Sequence, residues 1–304
     1  MAERRSVAAD VVGSKPTSRP NSPLKLNGIS LRTGKPSLTT PMPASKTASA
    51  PPNLFAGTSG WAYPTWRPGF YPADVSPKRF LSFYASQLNS VEVNYTFTKL
   101  PTSAIVAEWL AATPPGFRFT FKAPQRITHF SRLIDCEPHL AAFFAAIAPV
   151  AAAGKLGQIL FQLPPNFKAN LPRLEAFLAN PSLNSPATPP IAFEFRHQSW
   201  FTPPFGNETE ALLARHNAAL CIAETEDFLS PEIHPSSTHT SFRLRHSGGY
   251  KPRQVTALAA RILPLAAAGR DVYVYFKHED EPTGALNATA FLKQALKLAK
   301  AQPK

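Results

Sequence analysis

The chain has 304 residues, of which 44% are hydrophobic, and its formal net charge is +13. This apolar content is enough for one large domain or two small ones, and two cysteines exclude a disulfide framework. No apolar stretch reaches membrane-spanning length and no secretory leader is evident, so we expect a cytoplasmic protein with no membrane partner. The positive charge favours an anionic partner without specifying it.

Residues 1–52 are predicted to be a disordered, basic extension rich in proline and serine. They hold too few apolar side chains to form a core and too many prolines for regular structure. Residues 1–50 carry eight basic and two acidic side chains, which is +6 of the total +13. The folded part is therefore less basic than the whole chain.

From residue 53 onward, short β-branched or aromatic segments alternate with amphipathic helical patterns. The predicted helices cover 76–88, 136–154, 170–178, 255–269 and 285–299, and little helix is expected over 226–237. The predicted strands cover 54–59, 90–97, 117–124, 157–164, 191–197, 218–225, 240–246 and 271–278. Eight such units predict a (β/α)8 TIM-type barrel over 53–304. An open doubly wound sheet is the alternative, but it would need a glycine-rich phosphate loop after the first strand.

The strands share a division between an apolar face and a polar face. In "IAFEFRH", Phe193 and Phe195 alternate with Glu194 and Arg196, so the charges point away from the helices and into the barrel. The same alternation predicts a ring of inward charges near the strand C-termini, made of Glu92, Glu194, Glu224, Lys122, Arg196, Arg245 and Lys277. Cations outnumber carboxylates in this ring, which predicts a net-cationic pocket for phosphate or carboxylate groups. A salt-bridge network that satisfies itself is the alternative.

The loops beyond the strand ends add aromatic, glycine and histidine residues. Trp61, Tyr63 and Trp200 are candidates to stack on a ligand, although they could equally pack a loop lid. The turn "RHSGGY" after the seventh strand is either a phosphate-binding loop or an ordinary tight turn. His129 and His197 follow strands, but no metal-binding spacing accompanies them. No metal site or cofactor is predicted, and a divalent metal is kept as an alternative.

Several blocks together resemble the YecE-like family, domain of unknown function 72, from "GTSGWAYPTWRPGFYP" through "FEFRHQSWF" to "YVYFKH". The resemblance implies a TIM-type barrel from about Gly57 to the C-terminal helix. At the last strand, Lys277 and His278 stand where the family usually has asparagines. The family pattern falls on Gly57, Ser59, Gly60, Trp61, Tyr63, Glu92, Asn94, Lys122, His129, Gln162, Pro164, Glu194, Arg196, His197, Ser199, Trp200, Tyr275, Phe276, Asn287 and Ala288.

These patterns favour an enzyme, a hydrolase or lyase, acting on a phosphorylated or carboxylated small molecule. Glu194, Glu92 and His197 are the catalytic candidates, as general acids or bases. The ligand-binding candidates are Lys122, Arg196, Arg245, Lys277, Asn94, Gln162, Tyr275, Trp61, Tyr63, Trp200, Ser59 and His129. A nucleic-acid-binding or repair-nuclease-like protein and a non-catalytic ligand-binding protein are the alternatives. The oligomeric state stays open.

Overall fold

The computed structural model describes residues 51–184, 188–225, 230, 237–277 and 280–301. The predicted N-terminal extension lies outside these residues apart from positions 51 and 52. So does most of the segment 226–237, for which little helix was expected.

Eight parallel strands form one sheet in the order β1-β8-β7-β6-β5-β4-β3-β2 within the described residues. The strands are β1 Leu54–Thr58, β2 Ser90–Val93, β3 Arg118–Lys122, β4 Leu156–Gln162, β5 Ile191–Glu194, β6 Ala219–Glu224, β7 His239–Leu244 and β8 Asp271–Phe276. The helices are α1 Phe80–Gln87, α2 Tyr95–Thr98, α3 Ser103–Ala111, α4 Glu137–Ala152, α5 Leu171–Leu178, α6 Gly206–Arg215, α7 Pro252–Ala267 and α8 Thr283–Ala301. The predicted TIM-type barrel is confirmed.

Side chains from α1 and the turn after it close the seam between the two ends of the sheet, β1 and β2. The Asn89 side chain accepts a hydrogen bond from the Ala56 N–H (2.8 Å) and donates one to the Leu54 carbonyl oxygen (2.8 Å). One amide side chain thus takes the place of a neighbouring strand for the first half of β1. This satisfies backbone groups that a sheet edge would leave unpaired.

Tyr84 bridges the second half of the same seam. Its hydroxyl accepts a hydrogen bond from the Thr58 N–H (2.8 Å) and donates one to the Ser90 carbonyl oxygen (3.0 Å). Gly57 makes this close approach possible, because a Cβ at that position would lie 1.9 Å from the Ser90 oxygen. A glycine is therefore required where β1 meets β2.

The apolar strand faces pack against the surrounding helices, as the alternation predicts. Phe161, Phe193 and Phe195 are fully buried. The rings of Phe161 and Phe193 stack with centroids 5.3 Å apart, and those of Phe193 and Phe195 with centroids 5.8 Å apart. These aromatic rows form the layer between strands and helices and leave the other strand face for the barrel interior.

Strand β2 is shorter than the predicted strand 90–97 and ends at Val93. The Thr96 hydroxyl contacts the carbonyl oxygens of Val93 (3.1 Å) and Lys122 (2.7 Å), which stabilises a helical turn, α2, in place of extended chain. This turn brings Phe97 over the Lys122 side chain at the end of β3.

In the part of the chain that the structure describes, no helix is both long enough and apolar enough to cross a membrane.

Candidate anion-binding site

The interior of the barrel changes from aromatic to charged along the strand direction. Near the strand N-termini, the rings of Phe55 and Tyr273 stack at 5.1 Å. Further along, the Tyr275 hydroxyl lies 2.7 Å from the hydroxyls of both Ser90 and Thr120. Tyr275, which the sequence predicted to bind a ligand, is thus held by hydrogen bonds two residues below the charged positions of β2 and β3.

Arg243 on β7 is the centre of the charged layer, and the sequence-based prediction missed it. Its side chain is buried. Its Nε and Nη2 donate to the two carboxylate oxygens of Glu92, at 2.9 and 2.7 Å. Its Nη1 donates to the Glu194 carboxylate and to Oε1 of Gln162, the latter at 3.3 Å. One guanidinium therefore joins side chains from β2, β4 and β5.

Arg196 completes the partners of Glu194. Its Nε donates to Oε1 of Glu194 at 2.7 Å, while the other carboxylate oxygen accepts from Arg243. Burial alone would favour the neutral carboxyl, but Arg243 and then Arg196 outweigh it and lower the pKa of Glu194 to about 2. Arg243 likewise outweighs burial at Glu92 and holds its pKa below the ordinary value. Both carboxylates are therefore ionised at neutral pH.

The carboxyl ends of the strands and the loops that follow them form the mouth of the barrel. Lys122 and His129 lie in the part of the mouth at the end of β3. The Lys122 amine lies 3.8 Å from the centroid of the Phe97 ring. Burial, and then the nearby Arg243, lower the pKa of Lys122 to about 8. Burial also lowers the pKa of His129, and Lys122 adds to this effect. The two predicted ligand-binding residues are close enough to influence each other electrostatically.

Arg245 and Asn94 contribute buried polar atoms that lack partners. Nη1 of Arg245 and Oδ1 of Asn94 make no hydrogen bond with the described residues. Burial, and then repulsion from Arg243, lower the pKa of Arg245 to about 10. Nδ2 of Asn94 donates weakly to the Ser59 carbonyl oxygen at 3.4 Å, and the Tyr63 hydroxyl donates to the same oxygen at 3.1 Å.

Tyr63 belongs to this same part of the site. Burial and then the charge of Glu92 raise the pKa of Tyr63 to about 12, while Arg245 acts in the opposite direction. The first loop thus places its tyrosine within the electrostatic reach of Glu92 and Arg245.

The two predicted tryptophans do not stack at an open mouth. Trp200 is fully buried, lies 4.3 Å from the Phe195 ring in a stacked arrangement, and donates from Nε1 to the Phe167 carbonyl oxygen at 2.8 Å. It therefore forms part of the core. Trp61 is partly buried and packs edge-to-face on Trp109 at 5.7 Å. At both positions the tryptophan packs against another aromatic side chain of the protein.

His197 and Lys277 make hydrogen bonds to loop residues, His197 within its own loop and Lys277 to the loop after β7. Nδ1 of His197 accepts a hydrogen bond from the Ser199 N–H at 3.1 Å and caps the short helix Gln198–Trp200. The Lys277 amine donates to the Ser247 hydroxyl at 2.8 Å and ties the end of β8 to the loop after β7. Among the described contacts, neither side chain touches the Arg243 cluster.

Glu224 does not belong to the ring, contrary to the expectation. It has the same strand parity as Ile222, which packs in the layer between strands and helices. Its charge, after burial, raises the pKa of Tyr250, whose side chain lies in that layer. A carboxylate on this face of β6 cannot point into the barrel.

The described part of the chain contains no group of three or more His, Cys, Asp or Glu side chains arranged to hold a metal ion. The two interior carboxylates are occupied by guanidinium groups, so a cation at this position would have to compete with Arg243.

Together, these observations define a TIM-type barrel whose C-terminal end holds a buried arginine–carboxylate cluster with Lys122 and Arg245 nearby. The model of the family described as "Protein of unknown function DUF72" matches residues 55–304, so the chain belongs to the DUF72 family. The resemblance found in the sequence is confirmed.

Curated relatives and solved structures agree with this assignment. The chain is 29% identical over 160 residues to UPF0759 protein YunF of Bacillus subtilis (51% of this chain, 55% of YunF). It is 32% identical over 161 residues to UPF0759 protein YecE of Escherichia coli K12 (52% of this chain, 53% of YecE). The chain thus spans about half the length of the curated relatives it matches.

Among solved structures, a DUF72 family protein of Thermotoga maritima aligns with a TM-score of 0.68 at 25% identity, covering 79% of this chain and 98% of that protein. A DUF72 family protein of Enterococcus faecalis aligns with a TM-score of 0.64 at 20% identity, covering 83% and 97%. These alignments support the barrel fold.

Proposed function

We propose that the mouth of the barrel binds a phosphorylated or carboxylated small molecule and that the protein is an enzyme acting on it. The observation that carries the proposal is the buried, unsatisfied Nη1 of Arg245. A buried donor without a partner costs about 1–3 kcal/mol, and an anionic oxygen would remove that cost. The charge balance points the same way, because Lys122 and Arg245 remain after Arg243 and Arg196 have taken the two carboxylates.

The side chain of Asn94 restricts which anions would satisfy the site. Its unsatisfied Oδ1 is an acceptor and needs a hydrogen-bond donor, whereas Arg245 needs an acceptor. A ligand that satisfies both carries an anionic group and a hydroxyl or N–H group. Phosphosugars and hydroxy acids have this combination, and inorganic phosphate in its monoprotonated form is the simplest probe of it.

Lys122 fits the proton-transfer role better than the glutamates that the sequence favoured. Glu92 and Glu194 are held as anions by Arg243, so both are weak bases at neutral pH and we assign them to positioning that guanidinium. Lys122 has a pKa of about 8, close to the working pH that favours general acid–base catalysis. We therefore propose Arg196 and Arg245 as anion-binding residues and Lys122 as the acid–base group.

A thermal-shift panel tests the anion site. Wild type, Arg245→Gln and the exposed-site control Arg215→Gln would be heated with inorganic phosphate, glycerol 3-phosphate, lactate and neutral glycerol. We expect phosphate and the phosphate ester to stabilise wild type and the control, and to stabilise Arg245→Gln much less. A ligand at a hundred times its Kd adds about 2.7 kcal/mol. Equal stabilisation of all three proteins would place the anion elsewhere and contradict the proposal.

Nucleic-acid binding is a second candidate because of a groove beside the mouth. The groove has a volume of about 280 Å³ and is lined partly by Phe97, Lys99, Arg126 and Phe130. Phe130 is 63% exposed, and exposed aromatic rings next to cations can stack bases. Affinity for a single-stranded oligonucleotide should then fall steeply with salt and drop in Phe130→Ala. Binding that is unchanged in that variant would remove this candidate.

A further inference from the structure

The Lys122 amine stands at the carboxyl end of β3, near the Arg243 cluster. It lies over the Phe97 ring and makes no hydrogen bond or ion pair with the described residues. The two interior carboxylates would be its natural partners, but their oxygens already accept from Arg243 and Arg196. The cluster thus leaves a primary amine beside an anion-binding mouth without an acceptor of its own.

Lys155, which is buried, shows what a structural lysine looks like in this barrel. The Lys155 amine donates to the Leu110 carbonyl oxygen at 2.9 Å and to the Thr113 carbonyl oxygen at 2.6 Å, and lies 3.0 Å from the Thr113 hydroxyl. These three acceptors saturate the ammonium group and fix the C-terminal end of α3. The Lys122 amine has no comparable set of hydrogen-bond acceptors among the described residues.

We infer that Lys122 is a nucleophile that forms a Schiff base with an anionic carbonyl compound, such as a 2-oxo acid or a phosphorylated ketone. This inference rests on the proposed function, because Arg245 and Arg196 would hold the anionic end of the substrate. It adds a covalent step and a carbonyl group to the substrate class. Amines next to other cations or in desolvated positions are the ones that proteins use in this way.

The surroundings of Lys122 favour the neutral amine that the reaction requires. With a pKa of about 8, about 10% of the amine is neutral at pH 7, against about 0.04% for an ordinary lysine. The charged groups that act on it come from the elements around it, namely Arg243, Glu92, Glu194 and Arg196, and Lys122 in turn helps to lower the pKa of the neighbouring His129. Burial and the cations prevail over the two carboxylates.

The step balances without a redox partner. The neutral Lys122 nitrogen adds to the carbonyl carbon and gives up both of its protons, one as the carbinolamine forms and one as the C=N bond forms. The former carbonyl oxygen takes up both protons and leaves as water. The product is a C=N bond between lysine and substrate. Borohydride added by the experimenter supplies a hydride to the carbon, and water supplies a proton to the nitrogen, so the imine becomes a stable secondary amine.

Borohydride trapping on the full chain tests the inference. The protein would be incubated with pyruvate, dihydroxyacetone phosphate or neutral acetone, reduced, digested and mapped by mass spectrometry. Lys155 and the exposed Lys99 serve as internal controls. We expect the anionic carbonyl compounds to label Lys122 at least about tenfold more than either control lysine. Excess inorganic phosphate and Arg245→Gln should both reduce that labelling.

Lys122→Arg is the matched variant, because it keeps the positive charge but cannot form an imine. It should keep phosphate-induced stabilisation and lose the adduct, which separates folding from chemistry. Phosphate stabilisation of wild type without an adduct at Lys122 would overturn the Schiff-base inference and leave the anion site standing. Absence of both would overturn the proposed function as well. Labelling that is equal at Lys122 and Lys99 would also overturn the inference.

Discussion

Replacing Arg243 by methionine removes the charge at the centre of the cluster and keeps an apolar chain of comparable length. Glu92 loses the donor to both of its oxygens, and Glu194 loses one of its two guanidinium partners. All three side chains are at most 2% exposed. Breaking a buried ion pair by removing one partner costs about 3–5 kcal/mol, which for a domain of this size lowers the Tm by roughly 6–20 °C.

The pH dependence of the stability of Arg243→Met distinguishes the loss of an ion pair from a packing defect. In wild type the pKa of Glu92 is lowered, so its contribution is present above the unfolded pKa, near 4.3, and is lost only in acid. Without Arg243, burial raises that pKa above its unfolded value. The variant should therefore be least stable at neutral pH and regain stability as the pH falls from 7 to 5.

Urea unfolding followed by circular dichroism at pH 7 and pH 5 measures both effects. The control is Arg215→Met, because the Arg215–Glu175 pair spans 3.1 Å with both side chains 57% exposed and should be worth less than about 1 kcal/mol. Adding Glu92→Gln to the Arg243→Met background should recover part of the loss. A loss no larger than that of the control, or one that does not change with pH, would refute the reasoning.

Three further predictions concern the seam and the cluster. Gly57→Ala should lower the free energy of unfolding by at least about 2 kcal/mol, because its Cβ would meet the Ser90 carbonyl oxygen. Gly116→Ala, where a Cβ meets nothing within 4 Å, should stay within about 0.5 kcal/mol; equal effects in urea titrations would contradict the described seam. Tyr84→Phe should cost about 1–3 kcal/mol by leaving two buried backbone groups unpaired, and a wild-type urea midpoint would argue against the bridge. Acid titration of Glu194→Gln should show a shallower loss of stability between pH 5 and 2 than wild type, because the depressed pKa of Glu194 is then absent; identical acid curves would exclude that contribution.

The alternation of residues along the strands predicted which side chains face the barrel interior. It did not predict how deep along the barrel axis each of these side chains lies. The period of two placed Arg243 and Arg245 on the same inward face, yet only Arg245, nearer the strand end, was expected in the ring. Depth depends on strand register and on how far each side chain extends, which one sequence does not fix. Arg243 sits two residues deeper and therefore meets Glu92 and Glu194 directly.

The loop residues show a second limit. Trp200 lies in the short helix Gln198–Trp200 after β5, where the strand period no longer links sequence position to direction, and it packs on Phe195 in the core. At the end of β2, the Thr96 hydroxyl replaces strand pairing with a helical turn. Each outcome also involves a partner distant in sequence, the Phe167 carbonyl oxygen for Trp200 and the Lys122 carbonyl oxygen for Thr96. By contrast, the eight alternating units and their phenylalanine rows were sufficient to predict the barrel.

Calorimetric titration of inorganic phosphate into wild type and Arg245→Gln tests the central claim most directly, namely that Arg243 neutralises the interior carboxylates and leaves the mouth cations for an anion. A charge-assisted hydrogen bond contributes about 1.5–3 kcal/mol, so the Kd should rise about 10- to 150-fold in the variant. A Kd that is the same in both proteins, or no phosphate binding to wild type, would contradict the account.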